Sequence, residues 1–275
     1  MMHPRASAPV PTREHPLAGR RIVLTRPADQ AGDFEERVRA LGGEPDVEPA
    51  IAIRPPDDTS ELDAALARLD DFDWIVFTSA NAVHALGDRA CALGIGTDHF
   101  TTVRLAAVGP LTAAALAAMI RVPDAIARSA NAKSLGEEVP VLPGARVLMP
   151  RGDLADEALP AALRARGAEP HEVIAYRTVP GEGIPRIIVG LRDGTIDALL
   201  FASGSAVRFV ADAWRAARAP ADPGGHRALP AVFCIGPSTA RAASDAGFPP
   251  DGVAPVATQP AMVDAMARWY SERSR

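Results

Sequence analysis

Two stretches of the chain can be laid on one another without a gap: GRRIVLTRPADQAGDFEERVRALGGEP, starting at Gly19, and GARVLMPRGDLADEALPAALRARGAEP, starting at Gly144. Gly19 falls on Gly144 and Pro45 on Pro170, an offset of 125 at both ends. The correspondence continues downstream. Trp74-Ile-Val-Phe-Thr-Ser-Ala-Asn-Ala-Val83 falls on Ala198-Leu-Leu-Phe-Ala-Ser-Gly-Ser-Ala-Val207 at an offset of 124. Val108-Gly-Pro-Leu-Thr-Ala-Ala-Ala-Leu116 falls on Ile235-Gly-Pro-Ser-Thr-Ala-Arg-Ala-Ala243 at 127. Three segments in one order at nearly constant spacing are an internal duplication, which restricts the fold to two versions of one plan.

Within each copy, short apolar runs alternate with helical periodicity. Arg21-Ile-Val-Leu-Thr25 is followed by Phe34, Val38 and Leu41 and closed by Gly42-Gly43, and Arg146-Val-Leu-Met149 by Ala158, Leu159 and Leu163, ending at Gly167. Strands alternating with helices predict parallel sheets covered on both faces, and therefore two similar three-layer α/β/α domains. Val47-Glu-Pro-Ala-Ile-Ala-Ile-Arg-Pro55 and Val173-Ile-Ala-Tyr-Arg-Thr-Val-Pro180 occupy equivalent places in the repeat. Both are proline-bounded and rich in β-branched residues, so they read as a pair of extended connectors. The first sixteen residues carry four prolines and no apolar core, and read as a disordered tail on a cytoplasmic protein. Residues 219–229 read as a surface loop.

Composition narrows the function. At 275 residues the chain is long enough for two domains, and a net charge of -5 is ill suited to holding a nucleic acid backbone. No run approaches the roughly 18 apolar residues of a membrane span. Cys91 and Cys234 are far apart without CxxC spacing, so neither a disulfide framework nor a zinc site is indicated. Lys133 is the only lysine, so a side-chain cation facing an anion is nearly always arginine. His84 reads as a solvated helix residue and His171 as a connector residue. No GxGxxG follows the first strand, no GxxxxGK[ST] occurs, and the loops lack an acidic cluster for magnesium. No GxSxG elbow or Cys/His pairing appears either.

What remains is a set of corners at the carboxyl ends of strands, where parallel α/β sheets bind ligands. At Gly236-Pro237 the proline suits the first helical position, leaving the N–H groups of Ser238, Thr239 and Ala240 without intrahelical partners. Such an end attracts anions, and the hydroxyls of Ser238 and Thr239 add polar groups; Thr112 stands at the same place in the first copy. Ser79 and Ser203 are natural N-caps that could equally offer donors to a ligand. Arg26 and Arg151, at equivalent strand ends, can either add charge or form salt bridges.

The series VLTRP, WIVFTSANAV, AAVGPLTAAAL, GARVLMPRG, VIAYRTVP, LLFASGSAVRFV and FCIGPSTARAA, in this order and spacing, resembles the uroporphyrinogen-III synthase family from about Leu17 to the C-terminus. The resemblance implies two α/β domains with swapped segments: 17–46 with 181–275, and 54–172, joined by connector strands at 47–53 and 173–180. It implies hydroxymethylbilane as substrate, a linear tetrapyrrole cyclised with loss of water and inversion of its last ring, in heme biosynthesis, without cofactor or metal. Tyr176 matches the tyrosine proposed to help the hydroxyl leave; its other reading is a packing residue. Thr239, Ser79, Ser203 and Ser205 would hold carboxylates in a cleft between the domains. Leu111 replaces a hydroxyl at the first Gly-Pro corner, so anchoring is expected to favour the second copy. A monomer is expected, with transient contact to the preceding pathway enzyme as its only macromolecular partner. Two other classes of function fit the sequence less well. A two-lobe module that binds a polycarboxylate without chemistry would not need Tyr176 beside Thr239, and a nucleotide-dependent transferase would need a phosphate loop.

Overall fold

The computed structural model describes residues 12, 14–27, 31–32, 34–129, 131–217 and 229–273. The tail expected over 1–16 and the loop expected over 219–229 lie mostly outside them. The chain divides into two compact units, Met1–Ala52 with Val179–Arg275, and Ile53–Thr178.

Unit 1 is built on a five-stranded sheet in the order β11-β10-β9-β1-β2. Its strands are β1 (Arg21–Leu24), β2 (Glu44–Val47), β9 (Ala198–Phe201), β10 (Ala231–Cys234) and β11 (Gly252–Val253), every neighbouring pair parallel. Alternate residues separate the two faces. Val23, Leu199, Phe201, Val232 and Cys234 pack under α7 (Ile184–Asp193), α8 (Gly204–Ala217) and α9 (Pro237–Asp245). Ile22, Leu24, Leu200 and Phe233 pack under α1 (Phe34–Ala40) and α10 (Gln259–Arg273). Burying one such side chain is worth about 1.5–3 kcal/mol, against the ~1 kcal/mol span of the whole strand-propensity scale, so burial sets the layers. Apolar runs without polar interruption are what a strand covered on both sides requires. α1 is too short to hold its shape alone and owes it to Phe34 and Val38, one helical turn apart and both buried.

Unit 2 repeats the plan on the sheet β3-β8-β7-β4-β5-β6. These are β3 (Ile51–Arg54), β4 (Trp74–Phe77), β5 (Arg104–Ala107), β6 (Ala125–Ile126), β7 (Arg146–Gly152) and β8 (Glu169–Pro180). Ile75, Phe77, Leu105, Ala107 and Leu148 face α2 (Ser60–Leu66), α3 (Ala80–Ala92) and α4 (Pro110–Met119). Trp74, Val76, Ala106, Val147 and Met149 face α5 (Ala132–Glu138) and α6 (Ala158–Ala165).

The two copies of the repeat exchange their first parts. β1 and β2, from the first copy, join β9, β10 and β11 of the second; β7 and β8, from the second copy, join β4, β5 and β6 of the first. The duplication extends to backbone geometry: Gly42 (φ 83°) and Gly167 (φ 78°), 125 residues apart, end α1 and α6 in the left-handed conformation that glycine adopts without penalty. The extended segments differ from the expectation. The first is Ile51–Arg54, since Val47 still belongs to β2. The second is the continuation of a strand that starts at Glu169, because residues 169–172 already pair with β7.

Cys91 is exposed and Cys234 fully buried, with burial pushing the Cys234 thiol up to about 11. At pH 8 a maleimide should therefore label the native protein once, at Cys91, and twice only after denaturation; peptide mass spectrometry reads the positions.

Candidate functional site

The hydroxyl-bearing corners lie at the carboxyl ends of central parallel strands. Ser79, following β4, caps α3: its Oγ accepts the Ala82 N–H at 3.1 Å. Ser203, following β9, accepts the Ala206 N–H at 3.2 Å, and Ser205 Oγ accepts from the Arg208 guanidinium at 3.2 Å. α2 is fastened to α3 by the Asp63–Arg89 pair, with two nitrogens on two oxygens at 2.6 Å, and hydrogen bonding from Arg89 holds the Asp63 carboxyl below its usual range.

At the two Gly-Pro corners Pro110 and Pro237 open α4 and α9, with Gly109 and Gly236 as extended caps. The Ala240 N–H donates to Gly236 O at 3.0 Å, as Ala113 does to Gly109 O. This corrects the expectation of three free groups. The fourth helical residue already closes the first turn, so only the N–H groups of Ser238 and Thr239 lack partners among the described residues. Ser238 is exposed, whereas Thr239 and Thr112 are each 4% exposed, with hydroxyls that have no hydrogen-bond partner among the described residues. A methyl group added at Gly236 would meet nothing within 4 Å, so the front of that corner is open. Leu111, at the place of Ser238, is 85% exposed.

Tyr176 sits where β8 departs from simple alternation. Val173 and Ala175 point into the core beneath α3, Ile174 is exposed, and regular pleating would aim Tyr176 away from that core. The register with β7 slips at this point: Arg151 pairs with Ile174 but Gly152 with Tyr176. The extra residue re-aims the tyrosine, a common use of a β-bulge. Its ring packs half-buried against the cluster shared with α3, and its hydroxyl lies 3.2 Å from Ser79 Oγ. A phenol and a serine hydroxyl at one helix end can pass a hydrogen bond in either direction and on to a ligand oxygen.

The two strand-end arginines have separate surroundings. Arg151, with a side chain 9% exposed, donates to Glu172, to Ala155 O and to Asp156 O, the last at 2.9 Å. Glu172 also takes a bond from Arg164 at 2.9 Å. In the first copy Val47 stands at the position of Glu172, and Arg26 follows β1 half-buried. Of the residues expected from sequence, the structure brings Ser79 and Tyr176 into contact in unit 2, with Thr112 at the end of the adjacent strand β5. In unit 1 it sets Ser203, Ser205, Ser238 and Thr239 at the ends of the adjacent strands β9 and β10. Two residues that sequence reading missed are Gly152 and Asp153, which directly follow the register slip on β7. The available signal was that the first copy has Pro27 and Ala28 at their positions, and Ile51 at that of Tyr176. No group of three or more metal-ligating side chains occurs among the described residues, and no helix there is long and apolar enough to cross a membrane.

The fold and these corners define a class: a duplicated, segment-exchanged parallel α/β protein whose helix N-termini and hydroxyls can receive an anionic ligand. The chain matches the family Uroporphyrinogen-III synthase HemD over residues 32–264. It is 35% identical to the uroporphyrinogen-III synthase of Synechococcus elongatus over 198 residues, 71% of this chain and 75% of that protein. A crystal structure of a mutant uroporphyrinogen III synthase from Thermus thermophilus shares the fold with a TM-score of 0.64 at 23% identity, covering 92% of this chain and 99% of that one. The uroporphyrinogen-III synthetase of Helicobacter pylori does so with a TM-score of 0.57 at 16% identity, covering 90% and 99%. The chain belongs to the uroporphyrinogen-III synthase family.

Replacing Arg151 by alanine removes the donor to two carbonyls and leaves Glu172 with Arg164 alone, and should cost about 2–4 kcal/mol, somewhat below the loss for a fully buried pair. Arg164→Ala, at a half-exposed end of the same network, should cost about 0–1 kcal/mol. Urea denaturation of the two variants measures the difference.

Proposed function

We propose that the protein is a cyclising hydro-lyase that converts hydroxymethylbilane to uroporphyrinogen III. Family membership across residues 32–264 is the observation that carries this reading. In the substrate, the lone pair of the first pyrrole nitrogen expels the terminal hydroxyl, which takes up a proton and leaves as water. Ring D then attacks the resulting azafulvene through its substituted α-carbon. The spiro intermediate breaks its older bond to the bridging carbon and recloses through the other α-carbon. The proton lost when that ring regains aromaticity replaces the one spent on water.

Left alone, the activated chain closes at the uncrowded carbon and gives the type I isomer. The protein's task is therefore largely geometric: holding a chain with eight carboxylates so that the crowded carbon meets the electrophile, a kind of orientation that can supply several kcal/mol. Free N–H groups at the Gly236-Pro237 corner, with Thr239 beside them, support a role in holding those carboxylates, and Ser203, Ser205, Ser238 and Thr112 stand at similar ends. Arg26 can add charge at the end of β1. In this reading Arg151 shapes the loop after β7 through Glu172 rather than touching substrate.

Tyr176 supplies the proton to the departing hydroxyl, with Ser79 as its hydrogen-bond partner on the protein side. Support for this comes from the bulge that turns the ring toward Ser79.

The assay supplies fresh hydroxymethylbilane, oxidises the products to porphyrins and separates the isomers. Type III product well above the buffer rate is expected; type I alone at the buffer rate would overturn the enzyme reading and leave a binding protein. Tyr176→Phe should lower kcat for type III by about 10²- to 10⁴-fold with little change in KM, whereas unchanged turnover would make the tyrosine a packing residue. Thr239→Val should raise KM by about tenfold, as expected for losing one hydrogen bond to a charged group.

A further inference from the structure

Gly152 is a glycine whose backbone does not require one, since its φ is outside the left-handed region. The requirement comes from across the strand pair. A Cβ at Gly152 would stand 2.7 Å from both Cε2 and Cζ of Tyr176 and 2.9 Å from its Oη. Non-bonded atoms do not approach so closely, so the phenol occupies the volume that any other side chain at 152 would take. Asp153 holds the strand around it. Its N–H donates to Tyr176 O at 3.2 Å, and its Oδ1 accepts the Thr178 N–H at 2.9 Å. The Ala155 N–H closes the turn on Gly152 O at 3.2 Å, and Arg177 Nε lies 3.9 Å from the second Asp153 oxygen.

β8 is thus gripped at Tyr176 itself and two residues beyond it by one corner, while the bulge supplies the extra residue that the turned ring needs. The first copy lacks all three residue types: at an offset of 125 it carries Pro27, Ala28 and Ile51. Proline at 27 carries a ring where Gly152 has no side chain, and alanine at 28 has no carboxylate with which to hold a neighbouring strand. The glycine, the aspartate and the tyrosine differ from the other copy together.

We propose that Gly152 and Asp153 are positioning residues for the reaction: Gly152 provides the space for the Tyr176 phenol and Asp153 locks the bulge that aims it at Ser79. The proposal rests on the reading of Tyr176 as the proton donor. A misplacement of about 1 Å at a reacting group can cost about 100-fold in rate, so Gly152→Ala should lower kcat for type III about 10- to 100-fold while leaving KM within about twofold.

The test is a double-mutant cycle on the full chain, with thermal unfolding run on each variant. Gly152→Ala introduced into Tyr176→Phe should cost less than about twofold more, because the hydroxyl being positioned is already gone. Asp153→Ala should lower kcat in the same way, and Asp153→Asn, which keeps an oxygen acceptor for Thr178, should recover most of the loss; this arm remains decisive even when Gly152→Ala fails to fold. Equal fold-losses from Gly152→Ala in both backgrounds, or no recovery with asparagine, would overturn the positioning role while leaving Tyr176 as the acid. Wild-type turnover in Tyr176→Phe would instead remove the acid and this proposal with it.

Discussion

The parallel pairing of β4 with β7, Trp74 on Val147 and Ile75 on Leu148, is the constraint on which the rest of unit 2 depends. These strands come from different copies of the repeat. Because they lie side by side, β8 follows β7 into a sheet whose helices α3 and α4 belong to the first copy. Tyr176, from the second copy, can then reach Ser79, from the first, although 97 residues separate them in the chain. The matching pairing of β1 with β9 does the same for unit 1, where Arg26 from the first copy ends a strand beside the Ser203 corner of the second.

A duplicated fold starts with symmetric sites, and chemistry on an asymmetric substrate needs that symmetry broken. The breaks are local. One is the bulge at Arg151 and Gly152, which costs ladder regularity and yields a tyrosine turned toward a helix end. Another is the Arg151–Glu172 pair, which takes one strand-end arginine out of solvent, whereas the first copy has Val47 at the position of Glu172. A third is the exposed Leu111 where the other Gly-Pro corner has Ser238. Helix ends capped by serine occur in both copies, whereas the tyrosine that meets such a serine occurs in one, with Ile51 at its place in the other.

What was legible in the sequence is what depends on near neighbours. Ser79 and Ser203 cap helices because a serine before a helical run finds an N–H three residues on, whatever else the chain does. The Gly-Pro corners were legible for the same reason, although counting three free N–H groups overlooked that a cap carbonyl already accepts from the fourth residue. The arginine at 151 could not be assigned, because a salt bridge and a ligand contact look alike in sequence; its partner Glu172 is set by strand register. Gly152 and Asp153 went unread because their roles lie across a strand pair, and a glycine after a strand ordinarily signals a turn.

The sequence by itself determined the repeat, the alternation of buried faces along each strand, the positions of the helix ends and the residue types waiting there. It did so because side-chain period, capping and turn chemistry act over a few residues. Only the tertiary structure decided which copy each strand pairs with. Trp74-Ile-Val-Phe and Ala198-Leu-Leu-Phe offer nearly the same apolar edge to a parallel neighbour, and β1 and β7 are equally alike, so local chemistry cannot choose between folding within a copy and exchanging across copies. That choice falls to the packing of whole layers, and with it the meeting of Tyr176 and Ser79.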